Sequence, residues 1–136
     1  MPPARAHHVG LPVSDLDRSV AWYGDALGLT LETGTGVPGR VAVMGAPAGG
    51  RLELIAVEVE PSHWDEPIAA LRAGVPHTAW TVGDIDAAHA RAVKAGGRSV
   101  WTPCDTRKPG LRIAFVADPD GNLVELLSGD EEARSI

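Results

Sequence analysis

Cysteine and aromatic residues are scarce: the 136 residues hold one cysteine, one tyrosine and one phenylalanine. A lone Cys104 closes no internal disulfide, which suits a reducing compartment and a cytoplasmic location. No apolar run approaches the ~20 residues of a membrane helix. The opening MPPARAHHVGL lacks the apolar stretch of a secretory leader, so no membrane contact is expected. Positive charge is also short: 12 Lys and Arg against 18 Asp and Glu give a net charge of −6. A nucleic-acid surface needs a basic stripe, and the composition offers none. What is present is globular in balance, with 44% apolar and 22% charged residues. The length suits one domain or two small fused repeats.

Sixteen glycines and 11 prolines punctuate the chain in short clusters between apolar runs, which marks turns. Residues 8–13 read as a strand leading into a helix on which Leu16, Val20, Tyr23 and Leu27 share one face. Ser14 or Asp15 can cap its start, and Gly28 sits where a helix stops. Strands are expected at 29–33, 40–44 and 51–57. Residues 58–75 form a connection with one short helix at 68–73. The pattern then restarts: a strand at 78–82, a helix capped by Asp84 and stopped at Gly96 or Gly97, and strands near 99–102, 111–117 and 122–127. The sequence Asp118-Pro119-Asp120-Gly121 suits a type I turn between the last two.

A single shift of 69 positions carries His8 onto His77, Val13 onto Val82, Asp15 onto Asp84, Asp17 onto Asp86 and Gly28 onto Gly97. The chain therefore reads as two copies of a βαβββ unit. The first module spans 5–57, the connection 58–75, the second module 76–128 and a tail 129–136, all within one domain.

Each copy opens with a histidine, and each carries one glutamate inside its last strand: Glu53 in RLELIAV and Glu125 in NLVELLS. A strand carboxylate between apolar neighbours points to one sheet face, either solvent or a site. An unpaired carboxylate in a cleft is costly, so there it needs a partner. Imidazole and carboxylate donors together suit a divalent metal such as Zn, Ni, Co, Mn or Fe. Four such ligands leave two octahedral positions open, the style of a catalytic site. Taken singly, a strand glutamate is ordinarily solvated and a strand-start histidine ordinarily structural. The matching placement in two repeats is what favours the metal.

The segments HHVGLPVSDLDRSVAWYGDALGL, RLELIAV, HTAWTVGDIDAAHARAVKAGG and RIAFVADPDGNLVELL together resemble the vicinal oxygen chelate superfamily over residues 7–128. That group includes glyoxalase I, bleomycin- and fosfomycin-resistance proteins, methylmalonyl-CoA epimerase and extradiol dioxygenases. The resemblance implies an α+β fold of two βαβββ modules whose curved mixed sheet surrounds a cleft, in a glyoxalase-like member. It implies a metal held by His8, Glu53, His77 and Glu125. His8 rather than His7 matches, because it directly precedes Val9-Gly10-Leu11, and alternation turns His7 to the other face. It further implies a small substrate with two adjacent oxygens. One glutamate would take a proton beside a carbonyl and the other would return a proton at the neighbouring carbon, which is isomerase, lyase or epimerase chemistry.

Glutathione-dependent members carry an arginine four residues after the first ligand and an asparagine four after the first glutamate. Here those positions are Pro12 and Val57, which puts a glutathione substrate in doubt. The alternative function is a metal-free protein that sequesters a toxic small molecule, in the manner of bleomycin-resistance proteins. A third is extradiol ring cleavage on His8, His77 and Glu125, where Glu53 would crowd the site. Ile55 and Val57 share the face of Glu53 and suit an apolar substrate, with packing as their alternative role. Arg107 and Lys108 lie in a loop that can meet an anionic group or stay solvated. Trp64 and Trp101 are candidates for stacking on a flat ligand, with packing again the alternative. Trp80 reads as core, and His63 and His89 as surface. Edge strands in each module, and the habit of the resembling proteins, point to a homodimer.

Overall fold

The computed structural model describes residues 1–134, and the chain divides into two compact units between Glu60 and Pro61. Each unit holds one four-stranded mixed sheet. In the first, β1 (Val9–Val13) leads into α1 (Leu16–Leu27), followed by β2 (Thr30–Leu31), β3 (Val41–Gly45) and β4 (Arg51–Ala56). The sheet order is β1-β4-β3-β2, with β1 parallel to β4 and the other pairs antiparallel. The second unit begins with α2 (Pro67–Arg72) and continues with β5 (Thr78–Thr81) and α3 (Ile85–Lys94). It then adds β6 (Arg98–Asp105), β7 (Arg112–Ala117), β8 (Leu123–Ser128) and the short α4 (Glu131–Arg134). Its order, β5-β8-β7-β6 with β5 parallel to β8, repeats that of the first unit. In both, the last strand runs beside the first.

Local chemistry sets the helix ends. Asp15 caps α1 by accepting from the Arg18 amide, and Asp84 caps α3 by accepting from the Ala87 amide, both at 3.0 Å. Gly28 ends α1 in the left-handed region at φ 70°, where a side chain would be strained. The buried stripe of α1 is Ser19, Trp22, Tyr23 and Ala26, with Leu16, Val20 and Leu27 at its margins. The helix is thus rotated from the face that its aliphatic residues suggest. Small residues flanking Trp22 and Tyr23 leave room for those two rings against the sheet, and Leu52, Leu54 and Met44 complete that core. In the second unit α3 buries Ile85, Ala88 and Ala92. The strands contribute Ala114, Val116, Val124 and Leu126 to its core.

Residues 61–75 belong to the second unit. Trp64 and Val75 pack on Ala70, Ala117 and Leu123, so Trp64 is a packing residue. Arg98 donates to the Trp64 carbonyl at 2.6 Å. The strand expected at 29–33 is confined to two residues, whereas β6 extends well beyond 99–102. Trp80 is half-buried, and its indole N–H donates to Thr78 Oγ1 at 3.0 Å.

The turn before β8 fixes the position of Glu125. Gly121 N–H donates to the Asp118 carbonyl at 2.9 Å, and the Asp118 carboxylate accepts from the amides of Asp120 and Asn122. Gly121 has φ 92°, and a β-carbon there would overlap the Ser62 carbonyl oxygen. Gly121→Ala is therefore expected to lose about 3 kcal/mol of stability, from left-handed strain and this overlap together. Denaturant unfolding would check it; a loss no larger than a surface substitution gives would refute it.

His89 is a correction to its reading as a surface residue. It is half-buried on α3, with Nε2 2.7 Å from Ser99 Oγ. Burial lowers its pKa, opposed by the charge of Asp86. The folded state then binds fewer protons at His89 than the unfolded state. Its contribution is intact above the ordinary imidazole value near 6.5 and falls away as pH drops toward the lowered folded value. Thermal melts should show His89→Gln losing less stability than wild type between neutral and mildly acidic pH. Equal losses would show that His89 plays no part.

Candidate functional site

His8 and His77 each stand one residue before a first strand. The parallel pairing then fixes their neighbours. Gly10 lies opposite Glu53, and Ala79 lies opposite Glu125. Alternation puts His8 on the face of Gly10 and His77 on that of Ala79. Each imidazole therefore meets the glutamate of its own module over a residue with little or no side chain. His8 Nε2 is 3.3 Å from Glu53 Oε2, and His77 Nε2 is 4.0 Å from Glu125 Oε2. The same nitrogen faces the same kind of oxygen in both copies.

The two pairs differ in enclosure. The His8 and Glu53 side chains are 37% and 28% exposed, while those of His77 and Glu125 are each 19% exposed. Burial pushes the Glu125 pKa above the usual carboxylate range, and the nearby His77 opposes that shift. His77 Nδ1 is buried with no hydrogen-bond partner. Its ring is held by Phe115 instead, edge to face at 5.1 Å. Phe115 lies opposite Glu125 on β7 and meets Trp101 of β6 at 5.4 Å. Trp101 is 40% exposed, and the register of β6 shifts on both sides of it, as at a bulge that re-aims a side chain.

The donor chemistry fits a divalent metal. Metal–nitrogen and metal–oxygen bonds of ~2.0–2.2 Å put two adjacent ligands about 3 Å apart, close to the spacing in the first pair. Each module by itself supplies one nitrogen and one oxygen. Among the described residues no cluster of three or more His, Cys, Asp or Glu gathers into a metal site.

The remaining candidates are spread out. Ile55 is half-buried on β4, and Val57 is exposed just past its end. Val57 lines an open concavity with Ser14, Ala56, Glu58 and Glu60, whose carboxylates make that rim acidic. Arg107 and Lys108 sit in a tight loop braced by the Thr106 hydroxyl. That loop lies beyond Arg112, itself three residues along β7 from Phe115, about 10 Å of strand from the row of Glu125. Phe115 was not among the expected residues, and neither was a contact for His7, whose Nδ1 lies 2.8 Å from His8 Nδ1. Strand alternation could have flagged Phe115, but cross-strand register is not written in one strand.

The model of the Glyoxalase/Bleomycin resistance protein/Dioxygenase superfamily matches residues 5–126. The chain is 31% identical to a probable lactoylglutathione lyase of Synechocystis over 120 residues, 88% of this chain and 92% of that one. It is 34% identical to a lactoylglutathione lyase of Haemophilus influenzae over 125 residues, 88% of this chain and 89% of that one. In structure it resembles a glyoxalase family protein from Bacillus cereus, with TM-score 0.75, 24% identity, and 95% and 96% of the two chains covered.

Proposed function

The chain belongs to the Glyoxalase/Bleomycin resistance protein/Dioxygenase superfamily, and on that premise we propose a glyoxalase-like, metal-dependent enzyme. It moves a proton on a small substrate with two adjacent oxygens. The observation that carries this reading is the repeated juxtaposition of one imidazole and one carboxylate: His8 with Glu53, and His77 with Glu125. A protein that only sequesters a ligand has no need of that pairing twice over.

His8, Glu53, His77 and Glu125 would hold the ion, drawn from one chain or from two chains of a homodimer. When bound, a divalent metal acidifies the carbon beside a coordinated carbonyl and holds the developing negative charge. The protein's own groups do the rest. The Glu125 carboxylate takes the proton, its water partly stripped by the walls around it. Glu53, more open, takes up a proton from solvent and hands it to the neighbouring carbon, while Glu125 gives its own proton back to solvent. Phe115 and His77 keep water from one side of Glu125.

The acidic rim at Glu58 and Glu60 in the first unit and, separately, the exposed Trp101 in the second favour one second reading: sequestration of a flat or cationic small molecule without metal. Elemental mass spectrometry of untagged protein separates the two. Near one equivalent of a transition metal per site, lost in His77→Ala, is expected for the enzyme. No metal after reconstitution with zinc, nickel, cobalt or manganese would overturn it in favour of sequestration.

A further inference from the structure

The two half-sites support their histidines differently. His77 has Phe115 against its ring and a buried, unpartnered Nδ1. His8 has no comparable ring from its sheet, since Val43 occupies the position opposite Glu53. Instead His7 Nδ1 lies 2.8 Å from His8 Nδ1, with the rings edge to face at 5.1 Å and 81°. The shift of 69 that pairs His8 with His77 pairs His7 with Pro76, which has no polar side chain. The hydrogen bond is thus a device of the first module alone.

A contact between two Nδ1 atoms requires one to carry hydrogen and the other to be bare. When the hydrogen of a neutral His8 sits on Nε2, facing the Glu53 oxygen 3.3 Å away, its Nδ1 is bare and His7 Nδ1–H is the donor. For His8 Nε2 to present a lone pair to a metal, the hydrogen must sit on His8 Nδ1, and His7 Nδ1 must accept. A neutral imidazole serves in either direction by changing tautomer. An aliphatic side chain serves in neither.

We propose that His7 is a positioning residue, an adaptable hydrogen-bond partner that orients His8 and holds whichever tautomer its Nε2 needs. This rests on the reading of His8 as a metal ligand. Outer hydrogen bonds of this kind fix the tautomer and the ring angle of ligating histidines, and their loss weakens metal binding by about 10- to 100-fold. Because His7 is exposed, the lower end applies, about tenfold.

The test uses the full-length protein, zinc alone as probe, and His7→Ala, His7→Asn and His7→Gln. Zinc affinity is read by competition with a chromophoric chelator. The His8 tautomer is read from its imidazole ¹⁵N shifts in metal-free protein, at a pH above the imidazole range. Asparagine places an amide where Nδ1 stands and can donate or accept; glutamine sets it farther out. The expected result is zinc affinity about tenfold weaker in His7→Ala and His7→Gln, near wild type in His7→Asn. The ¹⁵N shifts of a His8 ring held between Glu53 and His7 in wild type should move toward the averaged values of a mobile, solvated ring in His7→Ala. Wild-type affinity and wild-type shifts in His7→Ala would overturn the proposal, as would an Asn variant as weak as the Ala one. If wild type binds no zinc, the metal reading falls by itself, and the shifts alone decide whether His7 positions His8.

Discussion

Glu125→Gln is expected to lower kcat by about a thousandfold, or ~4 kcal/mol of barrier, while the metal content stays near that of wild type. On the proposed reading, glutamine keeps an oxygen where the carboxylate oxygen stood, so it would preserve a ligand and remove the base. The size follows from the position of Glu125. It lies on β8 between buried Val124 and Leu126, opposite Phe115, with its side chain 19% exposed. Few waters reach it, so bulk solvent is a poor substitute for the missing base. Glu53→Gln should lose less, about a hundredfold, because its side chain is 28% exposed and water can relay a proton there. Substrate candidates are thiol adducts of 2-oxoaldehydes and acyl-CoA epimers. Deuterium wash-in at the carbon beside the carbonyl reports the proton step directly, so slow product release cannot hide it. A Glu125→Gln enzyme that exchanges deuterium as fast as wild type would remove Glu125 from the chemistry. Equal losses in both variants would deny the difference in enclosure any catalytic meaning.

The repeat was legible because it needs no tertiary information. One offset aligned the two histidines, and the alternation within RLELIAV and NLVELLS put one glutamate in each last strand. Capping by Asp15 and Asp84 and the stop at Gly28 were legible for the same local reason. What stayed hidden depends on register between strands or on contacts far apart in sequence. Nothing in RIAFVA says that Phe115 faces Glu125, or that its ring meets His77. Trp64 looked available for a ligand, yet it closes a small core over Ala117 and Leu123. His89 looked solvated until α3 brought it to Ser99. His7 escaped for a different reason. The alternation that sends neighbours to opposite faces carries back to His8, the residue next to β1, but has lapsed at His7, two residues ahead of the strand. Ahead of it, His7 and His8 can stand side by side.

The hemithioacetal of glutathione is expected to be a poor substrate, with kcat/KM about a hundredfold or more below that for an adduct of a small, uncharged thiol. The relatives described as lactoylglutathione lyases are about a third identical, so the backbone frame is shared and the difference must come from side chains. Glutathione carries two carboxylates that need cationic or amide partners. Where an arginine and an asparagine would serve in the resembling enzymes, this chain has Pro12 and Val57. Pro12 is exposed on β1 beside Ile55 and has no N–H to offer. Val57 uses its own N–H on the Val13 carbonyl at 3.0 Å, and its aliphatic side chain has no donor to offer. Hydrogen bonds to charged groups contribute ~1.5–3 kcal/mol each, so two missing partners account for the hundredfold. Glu58 and Glu60 on the same rim add repulsion toward a carboxylate. The decisive comparison is Val57→Asn together with Glu58→Gln, assayed on both adducts. A gain confined to the glutathione adduct would place that rim at the thiol-binding end of the substrate. Wild-type enzyme that already prefers the glutathione adduct would show that other residues hold the tripeptide, and that the loss at Pro12 and Val57 is compensated elsewhere.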